Sequence, residues 1–134
     1  MTKPLTSSER NLVQAAIDVR KKAYAPYSKF NVGAALLTGD GNVFVGCNVE
    51  NSSYGLAICA ERHAIGAMVA AGGRTIKTIA VAASPLASPC GACRQVIVEF
   101  GDEIEIISVN PDQIEEYSRW RITDLLPDHF QFKQ

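Results

Sequence analysis

Two thiols, Cys90 and Cys93, lie three residues apart in Cys90-Gly91-Ala92-Cys93, a spacing at which side chains on one helix are neighbours and can share a metal ion. Cys59 stands at the start of another helical segment, so two helix starts deliver three sulfurs. Helix amino termini carry partial positive charge and free N–H groups, which lower thiol pKa values and favour the thiolates that zinc requires. Structural zinc usually closes its shell with four protein ligands, whereas catalytic zinc keeps one place for water. Three cysteines with no fourth at matching spacing therefore point to catalysis. Glu61 follows Cys59 by two positions, too close to share its helical face but near enough to reach a water on the metal rather than the metal itself. A carboxylate there can take a proton from that water and return it to a nitrogen being expelled, the two transfers that hydrolytic deamination needs. Three thiolates would leave a zinc centre with net negative charge and weaken its pull on water. Arg62 and Arg94 flank the ligands, and a guanidinium hydrogen-bonded to the sulfurs would restore part of that Lewis acidity; Arg62 is the first choice.

Periodicity gives the elements that must position these residues. Thr6-Ser7-Ser8-Glu9 has the capping-box spacing, and Leu12, Val13, Ala16, Ile17, Ala23 and Tyr24 recur at helical intervals, predicting an opening helix that ends before Pro26. Apolar runs at 32–37 and 43–49 flank the turn residues Thr38-Gly39-Asp40-Gly41-Asn42, the pattern of an antiparallel hairpin. An Ala-rich helix over 59–71, with Ile65, Met68 and Val69 on one face, closes at Gly72-Gly73. A buried strand over 76–83, a helix over 91–100 after Pro89, and a strand over 104–109 follow. A polar stretch begins at Asn110-Pro111-Asp112-Gln113, and 123–126 forms a last helical turn stopped by Pro127. This order predicts an α/β fold, a three-layer α/β/α sandwich with a mixed sheet, in which both crossovers carry cysteines to the carboxyl ends of strands.

The 134 residues suit a single domain, 1–134, of ordinary globular composition, 47% hydrophobic and 20% charged. Thirteen basic against fourteen acidic residues give a net charge of −1, so no cationic excess exists to neutralise a phosphate backbone or an anionic bilayer, and a polynucleotide substrate is disfavoured. The start, from Met1 to Arg10, lacks an apolar signal core, and no apolar run approaches the ~20 residues of a spanning helix. A cytoplasmic location without membrane association is expected, where cysteines serve as metal ligands or redox groups rather than disulfides.

Asn48-Val49-Glu50-Asn51, Tyr54, Ile58-Cys59-Ala60-Glu61-Arg62 and Ser88-Pro89-Cys90-Gly91-Ala92-Cys93-Arg94-Gln95 closely resemble the small zinc-dependent cytidine deaminases, and the similarity runs over about residues 24–130. The resemblance implies one Zn2+ per chain on Cys59, Cys90 and Cys93, with Glu61 as the acid/base. It also implies conversion of cytidine and deoxycytidine to uridine and deoxyuridine plus ammonia, a step of pyrimidine salvage. It places Asn48 and Glu50 on the ribose, with Phe30 and Ala60 beside the substrate. It further implies a homotetramer with shared active sites, to which Ser52, Tyr54 and Phe130 come from neighbouring subunits. Cys-Ala-Glu rather than His-Ala-Glu favours the nucleoside branch over deoxycytidylate and polynucleotide deaminases. Two departures stand out. Segment 83–88 is shorter than is usual in the family, which predicts tolerance of cytidines substituted on N4, and His63 stands where Thr is common. A deaminase of a modified cytosine nucleoside, N4-substituted or of the blasticidin type, is the alternative within this chemistry.

Other readings compete with these. Cys90-Gly91-Ala92-Cys93 also suits a thioredoxin-type dithiol, and Cys47 or His63 as a fourth ligand would make a purely structural zinc domain without enzymatic activity. Cys47 reads otherwise as a small buried apolar residue, Phe30 and Phe130 as core aromatics, His129 as solvent-facing, and Glu115-Glu116 as a solvated pair.

Overall fold

The structure, a computed structural model, describes residues 3–132, so Met1 and Thr2 of the polar start and Lys133 and Gln134 lie outside it. Helix α1 (Ser7–Arg20) opens with the predicted capping box: Thr6 accepts from the Glu9 N–H while Glu9 accepts from the Thr6 N–H. The hairpin forms as β1 (Gly33–Thr38) and β2 (Val43–Cys47). A short 3₁₀ turn at Tyr54–Leu56 leads to α2 (Ala60–Ala70), followed by β3 (Ile76–Ala82), α3 (Gly91–Val98) and β4 (Glu105–Asn110).

The chain then departs from expectation. The polar stretch after Asn110 is a tight turn into a fifth strand, β5 (Gln113–Arg121), before the short α4 (Ile122–Leu125). It pairs antiparallel with β4 from Glu105↔Arg121 to Val109↔Tyr117. Glu115, Glu116 and Arg121 face solvent along an edge that buries little, so it lacks the apolar run that marks the inner strands. The sheet order is β2-β1-β3-β4-β5, with β3 and β4 the parallel pair and the other pairs antiparallel.

Strand alternation divides the core in two. Ala35, Ala80, Ala82, Ile107 and Val109 meet Leu12, Val13 and Ala16 of α1, whereas Ala34, Leu36, Ile79 and Ile106 meet Ala64, Met68 and Ile97 of α2 and α3. The sandwich is thus three-layered, with both cysteine-bearing helices on one face. Gly46 sets the height of α2: a Cβ there would come within 2.5 Å of the Ala64 nitrogen and 2.6 Å of the Ala60 oxygen. Any side chain would lift the amino-terminal turn of α2, which carries the candidate site.

The edge strand β5 is tied back to the amino-terminal segment by Arg119. Its guanidinium pairs with Glu9 and, at 3.2 Å, with Glu105, and it also donates to the Lys3 and Pro4 carbonyls. Burial pushes the Glu9 carboxyl up, but the Arg119 hydrogen bond and charge, with the Thr6 N–H, outweigh it and hold Glu9 below its ordinary value. Because the folded pKa lies under the unfolded one, the stabilisation is fully present above about pH 4.3 and is lost as pH falls through the folded value. Arg119→Ala should therefore cost about 2 kcal/mol near neutrality, between the values for exposed and buried pairs. In urea titrations the deficit should shrink below pH 4.3 or so; a deficit that persists undiminished in acid would assign the effect to lost packing instead.

Candidate active site

Cys59 and Cys90 are the N-cap residues of α2 and α3, both with extended backbone and neither with a side-chain cap hydrogen bond. A thiol is a poor substitute for the hydroxyl or carboxylate that usually caps a helix, so both sulfurs are left to face outward from the helix ends. Cys93 lies in the first turn of α3 and is completely buried. The three Sγ atoms fall within 4.8 Å of one another, with Cys59 and Cys90 3.9 Å apart. Sulfurs each ~2.3 Å from a tetrahedral zinc would be separated by ~3.8 Å, so the cluster has the dimensions of three corners of such a site. Among the described residues these three form a group able to hold a metal ion, and neither Cys47 nor His63 belongs to it. His63 turns instead toward β2, its Nδ1 2.8 Å from the Cys47 carbonyl oxygen.

The electrostatics suit a cation. A hydrogen bond from Cys93 and, after it, the Arg62 guanidinium lower the Cys59 thiol to about 5 despite its burial, while sharing that bond and burial push Cys93 up. The Cys59 sulfur is thus biased toward the thiolate form that a metal ligand requires. Arg62 donates from Nη2 to Cys59 Sγ at 3.7 Å, and its Nε is buried with no protein partner.

Beside the sulfurs opens a cavity of about 200 Å3 whose walls include Phe30, Asn48, Ala60, Glu61, Cys59 and Cys90. Glu61 is 4% exposed, and burial holds its carboxyl above the ordinary range, opposed in part by a backbone hydrogen bond. Asn48 fixes the opposite wall: its Oδ1 accepts from the Val32 N–H and its Nδ2 donates to the Phe30 carbonyl, both at 2.8 Å. One amide N–H remains available for a ligand.

Residues 6–109 match the family model described as "Cytidine and deoxycytidylate deaminase zinc-binding region". The cytidine deaminase of Mycobacterium tuberculosis is 43% identical over 122 residues, which is 90% of this chain and 84% of that one. That of Sporosarcina psychrophila is 53% identical over 92 residues, 66% of this chain and 67% of that one. A crystal structure of cytidine deaminase from Burkholderia pseudomallei superposes with a TM-score of 0.85 at 48% identity, covering 94% of this chain and 100% of that chain. The chain belongs to the cytidine and deoxycytidylate deaminase family. Its matched region contains all three sulfurs and Glu61, and zinc is the metal that the family region binds.

Not every residue singled out in the sequence meets at this cavity. Glu50 and Tyr54 line a second, larger cavity of about 340 Å3 with Tyr27 and Ser28. Glu50 accepts from the Tyr27 and Ser28 N–H groups at 2.9 and 3.2 Å and from the Ser28 hydroxyl, which holds its carboxyl below the usual range. Ser52 is bonded to the Tyr27 hydroxyl at 2.7 Å, and Phe130 is 71% exposed with its carbonyl accepting from Gln95. Among the described residues the sulfur cluster borders the smaller of these two cavities, so size does not identify the one able to hold a metal. Arg94 is spent elsewhere than on sulfur: it donates to the Pro89 carbonyl at 2.8 Å, the Leu125 carbonyl at 2.9 Å and the Ser88 hydroxyl at 3.1 Å. It thereby staples the loop that carries Cys90 to α4. Ser28, which orients Glu50, and Val32 and Val81, which line the cavity, were not singled out from the sequence, whereas segment 83–88 was, and Ala83, Ala87 and Ser88 line this cavity. Only the position of Val81 near the carboxyl end of β3 gave a usable signal.

Proposed function

We propose that this chain catalyses the hydrolytic deamination of cytidine and deoxycytidine, acting as one catalytic domain over its length. The observation that carries the reading is the placing of three sulfurs within 4.8 Å of one another against a cavity whose wall contains the buried Glu61. Cys59, Cys90 and Cys93 would hold the zinc, which when bound supplies Lewis acidity to the face of the cavity next to Glu61. The remaining work belongs to the chain. Phe30 and Ala60 confine the pyrimidine, and Asn48 offers its free amide N–H to the sugar. Glu61 takes a proton from the attacking water and delivers it to the exocyclic nitrogen as the C4–N4 bond breaks, giving uridine and ammonia. Arg62, already bonded to Cys59, spreads the negative charge of the sulfurs.

The same reading makes the active unit a homotetramer that completes its sites between subunits. Tyr54, Leu56 and Phe130 are 75%, 66% and 71% exposed, an unusual display of large apolar side chains around Glu50 and the carboxyl-terminal segment. Glu50, Ser52, Tyr54 and Phe130 would then reach a sugar or a base from a second chain. We place the reaction in pyrimidine salvage in the cytoplasm; no helix among the described residues is long and apolar enough to cross a membrane. The deciding experiment is an ultraviolet assay of cytidine with the purified protein, before and after removal of zinc by a chelator. Uridine should form only with the zinc-loaded protein. A zinc-loaded tetramer that leaves cytidine unchanged would dismiss the reading.

A further inference from the structure

We propose that the site also hydrolyses cytosine nucleosides that carry a small alkyl group on the exocyclic N4, releasing the corresponding amine; this rests on the deaminase reading above. In a cytosine nucleoside the sugar is attached at N1, and C4 lies diagonally across the ring from it. The exocyclic nitrogen therefore points away from the sugar, and any substituent on it continues in that direction.

The topology says what lies there. The cavity spans the ends of three neighbouring strands: Asn48 follows β2, Val32 precedes β1, and Ala83 follows β3, with Gly33 of β1 paired to Cys47 on one side and Ala82 on the other. Strand spacing puts the Asn48 and Ala83 sides about 10 Å apart. A nucleoside whose sugar meets Asn48 and whose C4 meets Glu61 directs N4 toward the connection between β3 and α3. Into the cavity that connection presents Ala83, Ala87 and Ser88, while its larger members Pro85, Leu86 and Pro89 do not line it. Ser88 is itself exposed, so the wall opens to solvent beyond the sulfurs. Nor is the space free to collapse, because Arg94 fixes the Ser88 hydroxyl and the Pro89 carbonyl. A methyl group on N4 thus meets a small, braced and open wall.

The step balances without a further reactant. The oxygen of water bonds to C4, one of its protons passes through Glu61 to N4 and the other ends on ring N3, and the C4–N4 bond breaks with its electron pair on nitrogen. N4-methylcytidine and water become uridine and methylamine.

The test compares kcat/KM for N4-methylcytidine and cytidine on the zinc-loaded protein, with methylamine and uridine measured as products, and repeats it with Ala87→Val and Ala87→Leu. Both nucleosides should be hydrolysed, and the ratio of the substituted to the plain substrate should fall stepwise, by at least about tenfold for Ala87→Leu, the discrimination one methylene-sized clash can impose. In Glu61→Gln, whose slowed turnover should let binding be read directly, N4-methylcytidine should bind within about tenfold of cytidine on the same scale. Refusal of N4-methylcytidine by a protein that deaminates cytidine overturns this inference and leaves the deaminase reading intact. A ratio unmoved in folded, zinc-loaded Ala87→Leu overturns the placing of N4 against this wall. Failure with both nucleosides defeats the deaminase reading and this inference with it.

Discussion

Glu61→Gln should keep its zinc and lose at least about 10²-fold in cytidine turnover, the lower range for removal of a general acid/base. The substitution preserves shape and polarity in a position only 4% exposed, so the helix start and the cavity wall should survive it. What it removes is specific. An amide has no basic oxygen able to take a proton from water and no acidic proton to hand to the departing nitrogen. Glu61 is not among the sulfur cluster, so metal content should be untouched. The stability of the protein should hold or rise slightly, because burial disfavours the charged carboxylate at this site and the amide carries no charge. Zinc analysis, a thermal melt and the ultraviolet assay on one preparation separate these effects. Near-normal turnover with zinc in place would remove Glu61 from the proton path.

The features that were legible in the sequence are those with a local cause. The Thr6–Glu9 capping box, the hairpin around Asp40 and the Ala-rich helix after Cys59 each depend on residues a few positions apart, and each formed where spacing placed it. The cysteine cluster was legible for a related reason: Cys90 and Cys93 are a helical turn apart, and alternation of strands and helices brings Cys59 to the same sheet end. Strand β5 was not legible, because its pairing is with β4 and its outer face is solvated, so hydrophobic patterning says little about it. Arg94 misleads for a geometric reason. Its neighbour in sequence, Cys93, belongs to the sulfur group, yet the Arg94 side chain donates to the Pro89 and Leu125 carbonyls, the second a contact set by the docking of α4 that no local pattern encodes. Glu50, Ser52, Tyr54 and Phe130 matched a family motif but do not converge on the sulfurs within one chain.

Cys93→Ser should weaken zinc binding by at least about 100-fold, since loss of even an outer partner of a ligand costs about 10–100-fold. The hydroxyl is a harder and far less acidic donor than a thiol, and at this fully buried position no water can take the place of the lost sulfur without opening the first turn of α3. The structural consequence should exceed the loss of one contact. Cys59 caps α2 while Cys90 caps α3 and Cys93 lies within it, so an ion on all three would cross-link two helices that share the apolar cluster containing Met68 and Ile97. Metal binding of this kind adds directly to folding free energy. The variant should therefore purify with little zinc, show no cytidine turnover and melt at a lower temperature, close to the wild type after chelation. Cys47→Ser and His63→Ala provide the contrast, because His63 bonds the Cys47 carbonyl and lies outside the sulfur group; both should retain zinc at wild-type stoichiometry. Full zinc retention by Cys93→Ser, or metal loss in either control, would replace the open three-cysteine site with a closed four-ligand one, and a closed site has no corner at which a nucleoside could react.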